Sequence, residues 1–64
     1  MTQKELLYLE DAIGHEKNII SVLEESINYL EDEKLISFME KELQSHSDTK
    51  DNLLNTLKEK ANEW

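Results

Sequence analysis

Four side chains of this sequence have the types and spacing for chemistry: Glu16, Glu42, His46 and Lys50. Carboxylate oxygens and a neutral imidazole suit Fe, Mn or Zn, and facing helices of a four-helix core are a common source of such ligands. Glu42 and His46 stand four apart and so share a helix face, which makes Glu16, Glu42 and His46 the metal candidates. The same region has a second reading, a core polar layer of Glu16, His46 and Lys50. In that layer Lys50 and a protonated His46 neutralise Glu16 and fix helix register at a cost in desolvation. Two features favour this second reading. The residue three before His46 is Leu43, so the Glu-x-x-His spacing of di-iron carboxylate helices is missing, and the Lys50 ammonium already supplies the positive charge a metal would bring.

Other reactive arrangements are missing from the sequence. With no cysteine there is neither a thiol nucleophile nor a thiolate zinc site, and one glycine in the whole chain cannot build a phosphate-cradling loop. Ser45 and Ser47 flank His46, but adjacent positions on a helix point apart. Ser47 and Asp51 have Ser-x-x-x-Asp spacing, without the flanking residues of the small phosphatases that use it. His15 reads as a packing residue, and Trp64 as a cap on the end of the seam. The expectation is a non-enzymatic protein.

Long helices must position these side chains, because proline is absent and Gly14 lies inside a periodic segment. Thr2 and Glu5 form a T-x-x-E capping box that starts the first helix. Leu6, Leu9, Ile13, Ile20, Leu23, Ile27 and Leu30 then recur at steps of three and four, with Glu16 filling the one gap. Ile36, Met39, Leu43, Leu53 and Leu57 repeat the seam, with His46 and Lys50 in its interruptions. Between them Glu31-Asp32-Glu33-Lys34 breaks the pattern, and Asp32 is an N-cap for the second helix. The spacing predicts one all-α domain over 1–64: a helix over about 3–30, a turn over about 31–33 and a helix over about 34–62. A turn centred near Asp32 sets Glu16 opposite Asp48, between His46 and Lys50. The run Ser45-His46-Ser47-Asp48-Thr49 is a second possible break, yet the seam keeps its phase across it and favours a continuous helix.

Such a hairpin has no interior beyond one seam, and its apolar stripe is wider than that seam. Ala12 and Ile19 lie on one flank of the first helix, with Tyr8, Val22 and Tyr29 further round, and Leu35, Phe38 and Leu54 widen the second. Neighbouring helices must cover the excess, most simply those of a second copy in a homodimeric four-helix bundle whose interface uses the seam leucines and isoleucines. A chain of this size buries only about 60% of the surface its unfolded form exposes, and no disulfide compensates.

Fifteen acidic residues against seven lysines give a formal charge of −8, which repels phosphate backbones and anionic membranes alike. No apolar run approaches the roughly 20 residues needed to span a bilayer, and the first residues lack the basic and apolar regions of a signal peptide. The reading is a cytoplasmic protein that binds neither nucleic acid nor membrane.

The run Lys4-Glu5-Leu6-Leu7-Tyr8-Leu9-Glu10-Asp11-Ala12-Ile13-Gly14-His15-Glu16-Lys17, followed by the Glu31-Asp32-Glu33-Lys34-Leu35 turn, resembles the spore coat protein F family. Leu43-Gln44-Ser45-His46 and Asn52-Leu53-Leu54-Asn55-Thr56-Leu57 look like that family's second helix. The resemblance implies a ferritin-like hairpin from an endospore-forming bacterium, a small coat or sporulation protein with partners in the spore or its mother cell. In metal-binding ferritin-like relatives, a first-helix Glu matches Glu16 and a second-helix His matches His46. Three roles follow as expectations: a structural or assembly protein, a small regulator docking on a signalling protein, or a ferritin-like metal binder.

Overall fold

A computed structural model describes residues 1–61 of the chain as two helices packed against each other, α1 (Gln3–Ile27) and α2 (Glu33–Ala61). The expected helical hairpin is present. Trp64 lies outside the described residues. Among the described residues no helix is long and apolar enough to cross a membrane.

Each helix starts on a cap that the sequence supplies. Thr2 is extended, its hydroxyl accepts the Glu5 N–H at 3.1 Å, and its own N–H donates to the Glu5 carboxylate at 2.8 Å. Two backbone donors that the first turn leaves without partners are satisfied in this way. The Thr2 backbone N–H, and after it the Thr2 hydroxyl, hold the Glu5 carboxyl below its ordinary pKa. At α2 the Asp32 carboxylate accepts the Leu35 N–H at 3.0 Å, and the Asp32 carbonyl accepts the Ile36 N–H at 2.9 Å. Here the third helical residue is Leu35, so no reciprocal bond closes the box.

The first helix ends at Ile27, three residues short of the expected limit near residue 30. The Asn28, Tyr29 and Leu30 N–H groups donate to carbonyls three residues back, at 3.2, 3.0 and 3.3 Å, which tightens the chain into a turn. Glu24 and Glu25 stand in the last turn without a basic residue, an unfavourable sign at the negative end of a helix. Leu30 keeps the seam spacing because a step of three fits a tight turn as well as a helix. The shorter α1 also moves the register.

The second helix runs unbroken through Ser45-His46-Ser47-Asp48-Thr49. Its polar side chains there bond within the helix: the Thr49 hydroxyl donates to the Ser45 carbonyl at 3.0 Å, and Gln44 donates to Asp48 at 2.9 Å. Helix-compatible bonding of this kind removes the competition that makes Ser, Asp and Thr poor interior residues.

Burial follows the heptad seam. Leu6, Leu9, Ile20, Leu23, Ile27, Ile36, Met39, Leu43, Leu53 and Leu57 are all half-buried, and among the described residues Ile13 alone is buried, with 6% of its surface exposed. Two helices in contact along one line cover each other's seam only in part.

Gly14 is helical, and a Cβ added there meets nothing within 4 Å. Replacing it with alanine removes backbone freedom from the unfolded chain without a clash, so Gly14→Ala is expected to stabilise by about 0.5–1 kcal/mol in urea unfolding. Glu5→Ala tests the cap through pH. Because the folded Glu5 pKa lies below the unfolded one, its contribution is present above the ordinary glutamate range and is lost as pH falls through the folded value. The stability gap between wild type and Glu5→Ala should therefore shrink on acidification, and a gap that widens in acid would contradict the capping account.

Candidate functional site

Glu16 and His46 meet across the hairpin at mid-height. Both occupy seam positions, so the same periodicity that turns the neighbouring leucines inward turns these polar groups toward each other. His46 Nδ1 lies 2.6 Å from Glu16 Oε2, with 17% of the Glu16 side chain and 30% of the His46 side chain exposed. A contact this short between a carboxylate and an imidazole has the length of a charge-assisted hydrogen bond.

The other edge of the ring faces a second carboxylate. His46 Nε2 stands 3.8 Å from Glu42 Oε2, one turn earlier on α2, a separation for charge attraction rather than hydrogen bonding. The imidazole thus sits between two carboxylates, one on each helix. When protonated it offers an N–H to each side. When neutral it donates from one nitrogen only, and Glu16, at hydrogen-bond distance, is the acceptor within reach.

Lys50 is half-buried but forms no ion pair with Glu16 or Glu42. Register explains the difference from the expected layer. With α1 ending at Ile27, Glu16 comes level with His46 rather than Asp48, and Lys50 falls a turn closer to the open end of the hairpin. The contacting set is therefore Glu16, His46 and Glu42, with Lys50 outside it.

These three do not converge on a point. Glu16 addresses one ring nitrogen and Glu42 faces the other, so a single ion cannot draw on all three groups without breaking the Glu16–His46 bond. Among the described residues no group of three or more His, Asp or Glu side chains is arranged to hold a metal ion. His15 is exposed. The seam residues expected at an interface line the contact between α1 and α2 of the same chain. Among the described residues, the large apolar side chains left uncovered lie outside that seam: Leu7, Tyr8, Ile19, Val22, Tyr29, Leu35 and Phe38. Their size and helical spacing were the available signal.

Comparison with protein family models, curated proteins and solved structures finds no match to this chain.

A double-mutant cycle measures the polar contact directly. Glu16→Leu and His46→Leu should couple by about 0.5–1.5 kcal/mol in urea unfolding, whereas Glu16→Leu and Lys50→Leu should add without coupling. Strong coupling to Lys50 would restore the layer read from the sequence. The doubly substituted Glu16→Leu/His46→Leu chain is expected to equal or exceed wild type in stability, because apolar side chains replace a pair that had to be desolvated.

Proposed function

We propose that this chain is a non-enzymatic structural protein, related to spore coat proteins, that acts by self-association as a homodimeric four-helix bundle. One observation carries the reading: among the described residues the hairpin buries a single one, Ile13, while large apolar side chains on its outer surface stay in water. A fold that leaves Phe38 57% exposed, with Tyr8, Val22 and Tyr29 more exposed still, gains its missing apolar burial from another surface. A second copy of the same hairpin offers that surface with matching length and chemistry.

The chemistry of mid-height supports a structural role over a catalytic one. Glu16 is hydrogen-bonded to His46 and Glu42 faces the other ring nitrogen, and among the described residues no hydroxyl or thiol lies at hydrogen-bond distance from the ring. The acidic surface is suited to contacts with basic protein partners and keeps assembled copies from associating without limit.

Sedimentation equilibrium provides the test. At micromolar concentration the species should have twice the 7.6 kDa chain mass, and the melting temperature should rise with concentration, as mass action requires for a dimer that unfolds to monomers. A folded monomer with a concentration-independent transition would overturn the reading and direct attention to a hairpin that docks on a different protein.

A further inference from the structure

The two flanks of the hairpin differ in charge. On α1, Tyr8, Ala12, His15, Ile19 and Val22 recur at steps of four and three, and Ser26 and Tyr29 continue the series. This is a second heptad stripe beside the one that meets α2. On α2 a matching stripe runs from Leu35 and Phe38 through Glu42, Ser45 and Thr49 to Thr56. The two stripes lie on the same side, since Tyr8, Leu9 and Ala12 line one groove together with Thr56. Apart from tyrosine, the ionisable groups of these stripes and their groove are Glu5, His15, Glu42 and Lys60, whereas Glu10, Lys17, Glu24, Glu40, Asp51 and Lys58 occupy the opposite flank. In a chain of net charge −8, the less charged side is where a second copy approaches at least electrostatic cost.

The two ends of that side also differ in shape. Near the turn it carries Val22, Tyr29, Leu35 and Phe38, all exposed, and near the open end Tyr8, Leu9, Ala12 and Thr56, with Glu5 and Lys60, line a groove of about 510 Å³. Two copies packed with their turns together would set the bulky ends against each other and leave the two grooves facing a void. Packed head to tail, each copy's bulky end meets the other's groove. The heights agree: Phe38 follows the first residue of α2 by as many positions as Tyr8 follows the first residue of α1. The two-fold axis of that arrangement passes through mid-height, where the central residues of the helices, His15 and Ser47, adjoin Glu16 and His46.

We infer that two copies pair head to tail through this side, each seating its Phe38 in the other's groove beside Tyr8, Ala12 and Thr56. The inference rests on the self-association proposed above and adds its face and direction. The available area suffices. A side of 48 by 14 Å gives about 670 Å² per copy and about 1,300 Å² in total, within the range of specific stable interfaces.

The chain has no cysteine, so a nitroxide on Glu31→Cys, in the exposed turn, reports turn-to-turn distance in the dimer without background. A separation near the 48 Å length of the hairpin is expected. A separation of about 20 Å, two helix diameters, would overturn the head-to-tail direction while leaving the dimer standing. A monomer at all concentrations would remove the dimer itself. Face identity is tested by Phe38→Asp, expected to weaken dimerisation by at least about tenfold, against Leu7→Asp on the opposite flank, expected to change it by less than about twofold. Both positions are exposed in the single chain, so helical circular dichroism should be retained. The reverse ranking of the two variants would place the interface on the other flank.

Discussion

Two long helices side by side touch along one line, and almost everything else in this structure follows from that constraint. A line of contact can half-cover each seam residue but cannot surround it, which is why, among the described residues, Ile13 alone is buried. Local interactions must therefore hold more of the fold than they do in a larger domain. The Thr2–Glu5 box and the Asp32 cap satisfy backbone donors at the two helix starts, and the hydroxyls of Thr49 and Thr56 return to carbonyls of their own helix. With so thin a core, large apolar side chains such as Tyr8, Val22 and Phe38 stay in water.

Both helix starts were legible because a cap is a local pattern: a short polar side chain, a fixed spacing and a following apolar run. The seam was equally legible, since each described residue assigned to it is half-buried or buried. The end of α1 was not. Leu30 continues the apolar spacing, and nothing in that spacing separates a last helical turn from the tighter i to i−3 turn that Asn28, Tyr29 and Leu30 form. That small displacement passed into the site. It brought Glu16 level with His46 and left Lys50 outside, so the identity of the polar level was readable from periodicity while its pairing depended on a turn that periodicity does not specify.

Electrostatics adds a direction to the apolar argument. The chain carries a large negative charge for its size, and most of its charged groups lie away from the stripe of Tyr8, Ile19, Val22 and Phe38. Segregation of that kind is not required for solubility, which an even spread of the same charges would serve as well. It is required of a surface that meets another apolar surface, where an unpaired charge would have to be desolvated.

A polar pair inside an apolar seam is costly, and its position indicates what the cost secures. The seam alone is nearly periodic, so α2 could slide along α1 by one heptad and still present leucine, isoleucine or methionine to most of its partners. Such a slide would move Glu16 from His46 to Met39 or to Leu53. It would leave a carboxylate without its hydrogen-bonding partner against an aliphatic side chain, while His46 faced an aliphatic position in turn. Breaking a partly buried hydrogen-bonded pair in this way costs about 1–3 kcal/mol, more than a repetitive apolar surface gains by any small improvement in packing. The Glu16–His46 contact thus contributes less to how tightly the helices associate than to where along their length they do so, and every apolar stripe on the outside of the hairpin inherits its alignment from that choice.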